Sequence, residues 1–272
     1  MRMAWTTCIR LSPLLACIAL FGAELSSPTD VAFTASIDNT QQRYVEMLPV
    51  DFKADETYHA LIALHGHGSD RWQFVRDNRG ECKGARDVAA RHGFIFVSPD
   101  YRAKTSWMGP KAEADLLQII GELKKKHKIA KVLLTGGSMG GTSALIFTAL
   151  HPQLVDGAIS LNGTANMEQY DNFLQYIAES YGGDKKAQPD EYRKRSPELF
   201  PERFTMPLAV TVGGKDTLVP PDSVLRLANA VSKKNTSVLI INRENTGHET
   251  SYADTVTALE FAIEKVLGTK PR

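Results

Sequence analysis

The chain has 272 residues, 43% hydrophobic and 23% charged, a globular composition with apolar material for one sizeable core. Lys plus Arg number 32 against 31 Asp plus Glu, giving a formal charge of +1 and no basic stripe. That balance argues against nucleic acid as a partner, and the run Lys124-Lys125-Lys126 reads as a solvated helix face.

The opening residues differ in kind from the rest. Arg2 and Arg10 accompany an apolar run from Leu11 to Phe21 that is short for a bilayer span and ordered like a secretory leader. Residues 1–23 are expected to be that signal peptide, cut near Ala23, giving a secreted or periplasmic protein with no stable membrane span in the mature chain. Leu14-Leu15-Ala16-Cys17 resembles a lipoprotein acylation box, but the apolar run continues from Ile18 to Phe21, which argues against an anchor at Cys17. Removing the leader takes away Cys8 and Cys17, so Cys82 has no internal disulfide partner and reads as structural.

Residues 24–42 are polar and expected to be loosely ordered, with one folded domain over 43–272. In chain order, strands are predicted at His59–Leu64 and Phe94–Val97, with a helix at Lys83–His92 between them. A helix at Ala112–His127 follows, then a strand at Lys131–Leu134, a helix at Met139–Leu150 and a strand at Gly157–Leu161. The last elements are strands at Leu208–Val212 and Ser237–Ile241 and helices at Pro221–Val231 and Tyr252–Val266. Alternating helices and near-continuous apolar strands predict an α/β fold, a mainly parallel sheet covered on both faces. The span of about 164–207 is too long for an ordinary crossover; with a helical piece near Met167–Ser180, it reads as an insertion over one end of the sheet.

The sharpest chemical signal is Gly136-Gly137-Ser138-Met139-Gly140-Gly141 between a predicted strand and helix. A serine hydroxyl is a weak nucleophile that must be exposed and activated, and a tight strand-to-helix turn needs glycine around it. A phosphate loop would need Lys followed by Ser or Thr at the loop spacing, and that is missing. Of seven histidines, His59, His92, His127 and His151 sit at element ends with ordinary structural explanations. His248 follows the last strand, beside Gly247, at the edge where ligand sites assemble, which makes it the candidate general base. Asp216 follows an earlier strand and is the candidate acid, whereas Asp222 is placed to start a helix.

The amide of Met139 is the first expected oxyanion donor, and the His65-Gly66-His67-Gly68 loop supplies the second, His67 ahead of Gly68. The imidazoles of His65 and His67 lack a third ligand at metal-binding spacing, so neither metal nor cofactor is expected. Trp107 and Met108 would either wall the substrate pocket or pack their loop, as would Tyr170, Phe173 and Tyr176 in the insertion.

The stretches LHGHG, LLTGGSMGG, VGGKDTLVPP and NTGHE, in that order, resemble the α/β-hydrolase superfamily over most of the chain from Arg43 onward. Within it the chain is similar to single-domain esterases related to dienelactone hydrolase, feruloyl esterase and the catalytic domain of prolyl oligopeptidase. Tyr181-Gly182-Gly183, Tyr192, Ser196-Pro197 and MPLAVTVGGKD carry the last likeness. Two departures matter: there is no room here for the β-propeller of the true oligopeptidases, and Ser138 stands where dienelactone hydrolases proper use cysteine. The resemblance implies a Ser138–His248–Asp216 triad and a serine esterase acting on a small or polymer-derived ester. A small peptidase or amidase using the same triad, or an inactive binding module with the same fold, are the alternatives.

Overall fold

A computed structural model describes residues 24–268. The expected leader, with Cys8 and Cys17, lies outside the described residues. Eight strands form one sheet in the order β1-β2-β4-β3-β5-β6-β7-β8. β1 (Thr29–Thr34) and β2 (Gln41–Met47) form an antiparallel edge, and β2 pairs antiparallel with β4 (Ile95–Pro99). From β4 onward all pairings are parallel, through β3 (Thr57–Leu64), β5 (Lys128–Gly137), β6 (Gly157–Leu161), β7 (Leu208–Gly213) and β8 (Val238–Arg243).

The sheet separates two cores. Successive strand residues face opposite ways, so Leu61 and Ala63 pack with α2 (Gly80–Arg91) and α8 (Tyr252–Leu267). Ile62 and Leu64 instead join α3 (Pro110–Lys126), α4 (Met139–Leu150) and α7 (Asp222–Ser232). Burial on both faces is why the central strands read as unbroken apolar runs. The short helix α1 (Gln73–Arg76) packs on the α2 side, and α5 (Leu174–Tyr181) and α6 (Pro189–Lys194) belong to the segment between β6 and β7.

The N-terminal segment corrects one expectation. Residues 24–42 are ordered: β1 pairs with β2 from Thr29↔Glu46 to Thr34↔Gln41, and Leu25 bridges Pro49. Main-chain pairing carries this edge strand, and Phe33 is its only buried residue, so its apolar pattern is faint. Asp30 fastens it further, with Arg71 Nε at 2.9 Å and Arg43 Nε at 3.2 Å holding its carboxyl below the usual range. The insertion is present as expected, but its first helix is shorter. Phe173 adopts φ 57, in the left-handed region, and α5 starts only after it. Among the described residues no helix is long and apolar enough to cross a membrane.

Candidate active site

Ser138 stands between the end of β5 and the start of α4 with φ 57 and ψ −119, conformations a non-glycine residue adopts only when its surroundings enforce them. The turn needs glycine at position 140, where a Cβ would fall 2.0 Å from the carbonyl oxygen of Leu64. The amide of Ser138 donates to Leu161 O at 2.8 Å, which ties the turn to β6.

Two further loops reach the same sheet edge. His248 lies between β8 and α8, and Asp216 lies just past β7. Nδ1–H of His248 donates to Asp216 Oδ2 at 2.6 Å, and the Ser138 hydroxyl donates to His248 Nε2 at 2.8 Å. The Asp216 side chain is 1% exposed and that of His248 25%. The other oxygen of Asp216 accepts the amides of Leu218 and Val219 at 2.9 and 2.8 Å, so the carboxylate is held by its own turn independently of the imidazole. A carboxylate, imidazole and hydroxyl in one line allow the hydroxyl to lose its proton as it attacks an electrophile. Asp222 is instead the first residue of α7.

The glycine that matters for the histidine loop is not the one the sequence singled out. A Cβ on Gly247 would meet nothing within 4 Å, whereas a Cβ on Gly213 would fall 2.0 Å from Gly247 O. The end of β7 therefore has to be bare for the His248 loop to lie on it.

His92, His127 and His151 have structural partners, Glu260, Glu46 and Glu113, at 2.7, 2.8 and 2.9 Å. His59 is packed beside Phe94, and burial lowers its pKa. His65 is fully enclosed, with Nδ1 2.9 Å from Gly66 O and Nε2 3.1 Å from Asp100 O. Cys82 is buried in the α2 core, which pushes its thiol up to about 12, far from nucleophilic use. Among the described residues no group of three or more His, Cys, Asp or Glu is placed to hold a metal ion.

Gly68 is removed as an oxyanion donor because its amide donates to Lys104 O at 2.8 Å. His67 and Ser138 both line the cleft, and Met139 is the first residue of α4, where an N–H has no intrahelical acceptor.

Trp107 and Met108 do not wall the pocket, which removes the first of the two roles considered for them and leaves packing of their loop. Both are 0% exposed, with φ 43 and 54, and neither lines the cleft. Trp107 turns inward and donates its indole N–H to His67 Nδ1 at 3.2 Å. The insertion holds this loop from behind. Tyr181 donates its hydroxyl to Trp107 O at 3.0 Å, and Arg195 Nε donates to Met108 O at 2.8 Å. Arg195 is itself 0% exposed and pairs with Glu113 at 2.6 Å. Of the aromatic residues in the insertion, Phe173 lines the cleft, Tyr176 stands against His67 and Tyr170 is buried.

The cleft has a volume of about 410 Å³. Gln73, Arg79, Glu81, Asn162, Leu218 and Glu249 also line it, and sequence reasoning missed all six. Asn162, with φ 51 at the end of β6, holds the histidine loop by donating its amide to Glu249 O at 3.0 Å and accepting from Gly213 N at 3.2 Å. An asparagine in a left-handed position just past a strand was the available signal.

The mostly parallel sheet, the strained serine turn and the three loops at the strand ends define an α/β-hydrolase. Residues 85–265 match the prolyl oligopeptidase family, and the chain belongs to that family of serine hydrolases. Solved structures share the fold at low identity. An acylaminoacyl peptidase of Pyrococcus horikoshii is 16% identical with TM-score 0.68, over 92% of this chain and 43% of its own. The fluorophosphonate-binding serine hydrolase F of Staphylococcus aureus is 16% identical with TM-score 0.67, over 90% of this chain and 99% of its own. A thermostable esterase is 20% identical with TM-score 0.65, over 89% and 62%. The chain thus spans less than half the length of the peptidase structures it matches. No curated protein sequence matches it.

Proposed function

We propose that the protein hydrolyses carboxylic esters through an acyl-enzyme formed on Ser138. The supporting observation is the unbroken Asp216–His248–Ser138 line, with steps of 2.6 and 2.8 Å. His248 accepts the proton of Ser138 as Oγ attacks the carbonyl carbon, and Asp216 stabilises the imidazolium and fixes its tautomer. The amides of Met139 and His67 receive the developing oxyanion. His248 then gives its proton to the departing alcohol oxygen; a water molecule, deprotonated by the same ring, releases the acid. The opening segment of the sequence supports export as the setting of this activity.

A peptidase reading has one specific support, the family to which the chain belongs. Ester cleavage is preferred because an alkoxide is the easier leaving group and the cleft is compact.

A fluorophosphonate probe should label the wild type at Ser138 and leave Ser138→Ala unlabelled; equal labelling would overturn the hydrolase reading. Turnover of p-nitrophenyl acetate and butyrate, set beside proline-containing peptides, separates the two substrate classes. Peptide cleavage without ester cleavage would replace the esterase reading.

A further inference from the structure

The cleft around Ser138 has two chemically different banks, one on each face of the sheet. On the α3–α7 face, Phe173 and Leu218 line it, and Tyr176 stands against His67, which also lines it. Tyr176 and Leu218 are 40% and 42% exposed, two of the six large hydrophobic side chains exposed among the described residues. Apolar groups gathered at the mouth of a cleft mark a surface that an apolar ligand covers.

The opposite bank, on the α2–α8 face, carries Arg79, Glu81 and Glu249. One close approach places it. A Cβ on Gly80 would fall 2.4 Å from the amide nitrogen of Tyr252 and 3.1 Å from Thr250 O, so the start of α2 is pressed onto the segment that follows His248. Glu81 Oε1 comes within 3.7 Å of where a Cβ of Gly137 would stand, next to the nucleophile. The charges on this bank do not cancel. Arg79 is paired with Asp77 at 2.7 Å and reaches Glu81 only at 3.6 Å, and Glu249 has no cationic partner among the described residues. Glu249 directly follows His248 in the chain, and both it and Glu81 line the cleft with the imidazole that hands a proton to the leaving group.

We infer that the preferred substrate is an ester of an apolar acid with a cationic alcohol, one that bears an ammonium group close to the ester oxygen. The inference rests on the hydrolase reading above and deepens it. The acyl portion lies against Phe173 and Leu218 and is transferred to Ser138 Oγ. The cationic alcohol leaves past Glu249 and Glu81, carrying the proton from His248, and water then frees the acid. The carboxylates take no part in bond breaking; they select by charge.

The test compares choline 3-phenylpropionate with its neutral isostere, 3,3-dimethylbutyl 3-phenylpropionate, which has carbon in place of the cationic nitrogen. Wild-type kcat/KM should favour the choline ester by about two- to fivefold at low salt, the range of partly exposed charge pairs. The ratio should shrink as salt is added and fall toward one in Glu81→Gln and in Glu249→Gln. Because Glu81 opens a helix, the exposed loop residue Glu249 keeps the test independent of α2. A wild-type ratio of one or below, or a ratio unchanged in both variants, would overturn the inference. Labelling of Ser138 by a fluorophosphonate without cleavage of either ester would overturn the inference alone; absence of both labelling and cleavage would remove the hydrolase reading beneath it.

Discussion

The indole N–H of Trp107 ends on Nδ1 of His67, 3.2 Å away, in a contact entirely enclosed on the tryptophan side. Trp Nε1 can only donate, so Nδ1 of His67 must be the unprotonated nitrogen. Burial lowers the pKa of this ring and the neighbouring His65 adds to the effect, so both point to a neutral imidazole. The ring also lies 4.4 Å from Phe173, centroid to centroid, which leaves the backbone of His67 little freedom.

Trp107→Phe keeps an aromatic ring in the loop and removes the donor. It should lower kcat and kcat/KM together, by roughly 10-fold, because a displaced oxyanion donor is felt in the transition state. Its stability cost should be about 1–3 kcal/mol by urea unfolding. A fall in stability with unchanged kcat would show that Trp107 only packs.

Asp216→Asn retains the acceptor for the Leu218 and Val219 amides but offers His248 the wrong hydrogen-bonding partner. A fall in kcat of about 10⁴ is expected with little loss of folding stability. Asp222→Asn, at the start of α7, should keep full activity and cost at most about 1 kcal/mol. Steady-state kinetics on the two variants distinguishes the acids directly.

Arg195 joins the insertion to the Trp107–Met108 loop from a fully buried position. Arg195→Ala leaves Glu113 Oε2 without its buried partner beside a hole, although Oε1 keeps His151, and should destabilise the protein by about 3 kcal/mol. Arg195→Met, which fills the volume, should lose less in the same denaturant titration.

Asp115 gives a pH signature. Its side chain is 1% exposed, and burial raises its carboxyl to about 6 despite the Arg102 guanidinium at 2.7 Å. A raised folded-state value means that the folded chain holds this proton more tightly. The contribution is complete below the unfolded value of 3.8 and is lost as pH climbs through about 6. Between pH 4 and pH 7 the stability difference should therefore move in favour of Asp115→Asn by about 2 kcal/mol, whatever its starting offset. Parallel stability curves for the two proteins would exclude this role.

The six parallel strands, the long helices and the loop positions of Ser138, Asp216 and His248 were legible because each has a strong local signature. Gly157–Leu161 is a wholly buried apolar run, and Ser138 is fenced by glycines that the turn requires. β1 was missed because its order comes from main-chain pairing with β2 and from Asp30 pairing with Arg71, 41 positions on, neither of which leaves an apolar pattern in the sequence. The cleft walls were hidden for the same reason. Glu81 borders the serine only because Gly80 docks on Tyr252, a contact across 172 positions of chain. Position alone left Trp107 open between wall and packing; it adopts a positive φ and is buried, and a sequence does not display φ for a non-glycine residue.

The insertion between β6 and β7 is bolted down at several points: Tyr181 to Trp107, Ser180 to Ser106, and Arg195 to both Met108 and Glu113. A roof fastened in this way does not swing open for each turnover. The shape of the cleft is settled before any substrate arrives, so bulkier acyl groups should be refused at the door, through weaker ground-state fit, with no lag or hysteresis in progress curves.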